Sequence, residues 1–248
     1  MTTKHQKDDE KIYAEKTSEL LHESWKVEPS PGEVGWPDLI VTTESERFGL
    51  EVREIYLDES SRGSTKKANE QNNLQKINKL AKDYYKKTRS SIMVDFLGDI
   101  RHHNQLLNTI ISEVGQLSES EQKRIEPYRG CEIYILRLPD HLGEYKRWNY
   151  ISDKVGWVRN IDKDFIERFI VEKAKKLSKY KEKISDVRLL LVSNRIFNSG
   201  KARLANDMIC DPHGFNKVYY LSYPETAWQF KKFTNPPSQR LKSGEADG

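Results

Sequence analysis

Apolar residues recur at three- and four-residue spacing in some stretches of the chain and at alternate or unbroken positions in others. The first stretch, "DDEKIYAEKTSELLHESW", carries Tyr13, Ala14, Thr17, Leu20 and Leu21 at helical spacing, with acids in the first turn where the helix dipole favours them. It predicts a helix. "EPSPGEVGW", with two prolines and two glycines, ends it. "PDLIVTT" is a short β-branched run and "RFGLEVREIYL" alternates; the polar turn "ESE" between them predicts an antiparallel pair.

A polar loop, "SSRGSTKKANEQ", leads into a second helix marked by Leu74, Ile77, Leu80, Ala81 and Tyr84. "SIMVDFLG" predicts a third strand, and Leu106, Leu107, Ile110, Ile111 and Val114 a third helix. "CEIYILRLP" and an exposed "WNYISDKVGWV" follow as strands; "DKDFIERFIVEKAKKLSKY" reads as one long helix, acids early and lysines late. "VRLLLVS" has the unbroken apolar character of a strand covered on both faces, and "KVYYLSY" with "TAWQFKKF" closes the folded part. From about Asn235, "NPPSQRLKSGEADG" is poor in apolar residues and predicts a disordered tail over 235–248. The alternation predicts an α/β fold: a single mixed-sheet domain over 1–234, flanked by helices.

Composition narrows this little. With 36% hydrophobic and 32% charged residues the surface must be polar, and no apolar run reaches the roughly 18 residues of a membrane helix. No membrane partner is expected. "MTTKHQKDDEKIY" lacks the apolar centre of a signal peptide, and Cys131 and Cys210 give no disulfide framework, so a reducing cytoplasm is the expected location. A net charge of +4 permits nucleic-acid binding without arguing for it.

The candidate chemistry lies in "WPDLIVTTESERFGLEVREI". On a strand, residues two apart share a face, so Glu51 and Arg53 project together while Leu50 and Val52 enter a core. An antiparallel turn would bring Asp38 opposite the end of the second strand. Two carboxylates converging near a cation suit a hard divalent metal with open positions for water and phosphate. Taken singly, each has a plainer reading: Asp38 as turn chemistry, Glu51 and Arg53 as an exposed ion pair. Other signals are weaker. Asp95 reads as a solvent-side strand acid, and His102, His103, Cys210 and His213 lack a second pair at zinc-site spacing. Trp148, Tyr150 and Trp157 could stack on bases, though packing is the commoner role. No nucleophile elbow, Walker loop or dinucleotide glycine fingerprint occurs.

Pro37-Asp38 followed by Glu51-Val52-Arg53, with helix, hairpin, strand, helix and strand around them, resembles the PD-(D/E)xK nuclease superfamily. The resemblance implies a restriction-endonuclease-like αβββαβ core, over about residues 8–100 plus later strands. Asp38 and Glu51 would hold Mg²⁺ or Mn²⁺, and Arg53 would contact the scissile phosphate. The family also uses a glutamate on the first helix. Successive hundred-degree steps from Leu20 and Leu21 put Glu10 on the buried face, ahead of Glu19. One position departs from the pattern: Arg53 stands where the family has lysine. Arginine clamps phosphate but cannot act as a base. Lys66, Lys67 and Lys76, around the second helix, are candidates for the missing ammonium and for contacts to a nucleic-acid backbone.

The expected function is therefore a metal-dependent endonuclease acting on DNA, with metal-activated water attacking the scissile phosphate. Many such relatives are dimers, which leaves a homodimer open. The alternative is a catalytically degenerate member of the fold that binds nucleic acid or a protein partner. A third reading, an interaction protein whose hairpin only pairs charges, predicts no metal binding.

Overall fold

The computed structural model describes residues 4–60, 63–145, 147–151, 158–204 and 208–232. Helix α1 (Lys4–Leu20) precedes strands β1 (Lys26–Pro29), β2 (Leu39–Thr42) and β3 (Arg47–Glu54). Then come α2 (Thr65–Tyr85), β4 (Ile92–Gly98), α3 (His103–Val114), β5 (Gln122–Tyr128), β6 (Cys131–Arg137) and β7 (Trp148–Ile151). The rest comprises β8 (Arg159–Ile161), α4 (Lys163–Ala174), α5 (Leu177–Lys181), β9 (Val187–Asn194), β10 (Ala202–Leu204), β11 (Ile209–Cys210), β12 (Val218–Tyr223), β13 (Thr226–Gln229) and β14 (Lys231–Lys232). This is an α/β protein with mixed sheets, and no helix among the described residues is long and apolar enough to cross a membrane. The chain divides into two compact units, residues 1–54, 160–192 and 203–248 in one, and 55–159 with 193–202 in the other. The expected tail at 235–248 and Trp157 lie outside the described residues.

The first unit is built on a six-stranded sheet in the order β1-β2-β3-β9-β12-β13. The predicted hairpin forms: β2 and β3 run antiparallel, with Leu39 opposite Leu50 and Thr42 opposite Arg47. Parallel pairing then joins β3 to β9, Glu51 opposite Leu189. Every residue of β9 is buried, as an unbroken apolar strand requires. Alternation along β3 sends Leu50 and Val52 into a core with Tyr13 and Ala14 of α1, Val41, Phe48, Leu190 and Tyr219. Glu51 and Arg53 point to the opposite face, where they meet α4. Arg188 of β9, 2% exposed, donates to Asp186, Glu46 and Tyr219 and stacks 3.7 Å from the Phe48 centroid, tying the β2–β3 turn to β9.

The second unit has a four-stranded sheet, β5-β6-β4-β7, whose apolar face packs with Ile77, Leu80 and Tyr84 of α2 and Leu106, Leu107 and Ile110 of α3. Several expectations change here. The run at 92–98, expected to join the hairpin sheet, is the β4 strand of this second sheet. The hairpin's parallel neighbour is instead β9, which follows α4 about 130 residues later in the chain. The polar loop ends sooner, because Ser64 caps α2 by accepting from Lys67 N. The first buried residues of α2 are Glu70 and Asn73, so its opening turns carry no apolar period. Trp148, expected to be exposed, is 5% exposed and packs against Tyr84 and Phe96.

Candidate metal and phosphate site

Helix α1, the segment before β2, strand β3 and helix α4, all of the first unit, bring charged side chains together. Asp38 precedes β2, and continuing the β2–β3 register puts it across from Glu51. Its Oδ2 accepts from Val52 N at 2.9 Å, which fixes the carboxylate at the strand end. The approach depends on Gly49: a Cβ there would meet Pro37 Cγ at 2.5 Å and Ile184 Cγ2 at 3.0 Å. Glycine is the residue that lets the Pro37-Asp38 segment lie this close to β3.

Glu51 is 2% exposed, and its Oε1 accepts from Lys173 Nζ at 2.6 Å. Lys173 lies in the last turn of α4. Asp162 caps that helix by accepting from Phe165 N, and Ile166, Phe169 and Ile170 form its buried stripe. Lys173 continues the stripe, seven residues beyond Ile166 and three beyond Ile170. Leu177 and Tyr180 of α5, both buried, carry it further. The predicted long helix is broken between α4 and α5, yet the inward register is kept.

The electrostatics are those of carboxylates crowded together. Burial, followed by the charges of Asp38 and Glu51, pushes Glu10 up to about 7 against the pull of Lys173 and Lys7. Burial and then the Glu51 charge push Asp38 up to about 6, opposed by the Val52 N–H and Lys173. Tyr180 is buried beside them, and burial with the charges of Glu51 and Asp38 holds its phenol far above the usual range. Glu51 Oε2 is buried without a hydrogen-bond donor. A buried, unsatisfied carboxylate oxygen next to a second carboxylate fits a hard divalent cation. Asp38 and Glu51 are the side chains that could hold one. Among the described residues no three His, Cys, Asp or Glu side chains stand as a ready-made metal group.

Glu10, Asp38 and Glu51, the three carboxylates singled out from the sequence, lie close enough for their charges to act on one another. Arg53 shares the Glu51 face; its guanidinium lies 5.6 Å from the Phe169 centroid and 3.9 Å from Glu172 Oε2. The lysines expected near the second helix belong to the other unit. Lys76 Nζ donates to Ile100 O at 2.9 Å, the Lys67 ammonium stands over Tyr56 and Phe197, and Lys66 is exposed. The ammonium found on Glu51 is that of Lys173, which the sequence reading did not single out. Its signal was present: a lysine on the apolar stripe of "FIERFIVEKA".

The chain matches no family model, no curated protein and no solved structure.

Proposed function

We propose that Glu10, Asp38, Glu51, Arg53 and Lys173 form the catalytic centre of a metal-dependent phosphodiesterase of the PD-(D/E)xK type, acting on DNA. The observation that carries this reading is the 2.6 Å contact of Lys173 Nζ with Glu51 Oε1, on a strand whose neighbour presents Asp38. It supplies, from α4, the ammonium that the Glu51-Val52-Arg53 motif lacks. The αβββαβ order of α1, β1, β2, β3, α4 and β9, with β3 and β9 parallel, agrees with it.

A divalent cation bound by Asp38 and Glu51 would supply Lewis-acid activation of water and phosphate. Lys173 spends one of an ammonium's three donors on Glu51, leaving donors for the attacking water or a phosphate oxygen. Arg53, permanently charged, would clamp the scissile phosphate and offset charge developing on it. Glu10 lies buried beside the two metal-holding carboxylates, and burial with their charges raises its carboxyl in the metal-free protein. The alternative of a degenerate nucleic-acid binder rests on Arg53, which stands where the family has lysine and cannot act as a base.

Cleavage of supercoiled, linear duplex and single-stranded DNA, with and without Mg²⁺ or Mn²⁺, tests the proposal when wild type runs beside Glu51→Ala. Metal-dependent cutting lost in the variant supports the nuclease. Duplex binding without cutting supports the degenerate binder, and equal cutting by both proteins removes the site assignment.

A further inference from the structure

Beside the carboxylates, two arginines converge on one aromatic ring. Arg53 Cζ lies 5.6 Å from the Phe169 centroid and Arg168 Cζ lies 4.5 Å from it. Both distances share one centroid, so the two guanidinium carbons are at most about 10 Å apart. Arg168 also stands 4.3 Å over Phe165, which meets Phe169 edge to face at 5.3 Å.

Phe169 is buried, so the platform is fixed by the core of its unit. A long arginine on the surface ordinarily samples many rotamers; stacking on two rings restricts it and leaves its N–H edge for another partner. Arg168 is exposed, and among the described residues it makes no hydrogen bond or ion pair. Glu172, 56% exposed, reaches Arg53 at 3.9 Å, a solvent-screened contact.

We propose that Arg168 is a positioning residue for the backbone phosphate adjacent to the one Arg53 faces. The substrate is then a polynucleotide strand gripped through at least one phosphate beyond the scissile one. This inference rests on the nuclease reading above.

The test is fluorescence-anisotropy binding of a labelled short duplex DNA across a salt series, with Ca²⁺ in place of Mg²⁺. It compares wild type, Arg168→Ala and Arg168→Lys, with thermal midpoints measured on each. Arg168→Ala should weaken binding about tenfold, the scale of one charged hydrogen bond. It should also lower the slope of log affinity against log salt by about one, because one phosphate contact is lost. Arg168→Lys should keep the slope and recover part of the affinity. Wild-type affinity and slope in Arg168→Ala would overturn the proposal, as would an affinity loss with the slope unchanged. Failure of the wild type itself to bind or cut DNA would remove the nuclease reading and this inference together.

Discussion

Lys173 Nζ lies 2.6 Å from Glu51 Oε1, although 122 residues of sequence separate them. Their side chains are 16% and 3% exposed, so the pair is largely withdrawn from water. Such a pair adds little net stability against an apolar substitute, but removing one partner strands a buried charge. Lys173→Met should therefore destabilise the protein by about 3 kcal/mol in urea unfolding. The double variant Lys173→Met/Glu51→Gln should recover part of that loss. A double variant as damaged as the sum of the two single ones would mean that the residues do not act on each other.

Gly49 governs how closely Asp38 approaches the second strand. Gly49→Ala must displace Pro37 or Ile184 and should cost about 1–3 kcal/mol, the usual cost of overpacking. Because Pro37 adjoins Asp38, the variant should also bind Mn²⁺ more weakly, read as a smaller metal-induced rise in thermal midpoint. Unchanged Mn²⁺ stabilisation would dissociate the glycine from the site.

Neutralising one carboxylate should stabilise the metal-free protein while ending its affinity for metal. Asp38→Asn removes repulsion from Glu10 and Glu51 and keeps an oxygen for the Val52 N–H. A gain of about 1 kcal/mol at neutral pH is expected in EDTA, with Mn²⁺ giving no further rise. A destabilised Asp38→Asn protein would show that the repulsion is not felt.

The same crowding sets a pH dependence. Folding raises Glu10 from 4.5 to about 7 and Asp38 from 3.8 to about 6, so between those values the folded state keeps protons the unfolded state has released. Their contribution to stability is complete below about pH 4 and is lost as pH rises through about 6 and then 7. In EDTA, the thermal midpoint of wild type should fall relative to Glu10→Gln/Asp38→Asn across that window. A constant difference between the two proteins would contradict the raised values.

Much of this was legible in the sequence because it follows local rules. The β2–β3 hairpin came from alternation around a polar turn, β9 from an unbroken apolar run, and Glu10 from its place below Tyr13 and Ala14 on α1. What stayed hidden depended on tertiary placement. β1 buries only Val27 and β5 alternates with charged residues, so neither edge strand carries an apolar pattern. The strand at 92–98 has the composition of a core strand, and nothing local says which sheet it joins. Lys173 was overlooked for a similar reason. A lysine among "VEKAKK" reads as solvated, and only its register with Ile166 and Ile170 marks it as inward-facing.

The most direct test of the central claim is the rate of Mn²⁺-dependent nicking of supercoiled DNA by wild type and by Lys173→Met, with folding of both checked by circular dichroism. If Lys173 supplies the ammonium that the strand motif lacks, wild type nicks DNA and the folded variant is slower by at least about 100-fold, the scale of losing one charge-stabilising donor. Equal rates in the two folded proteins, or no nicking by wild type at any divalent-metal concentration, would contradict it.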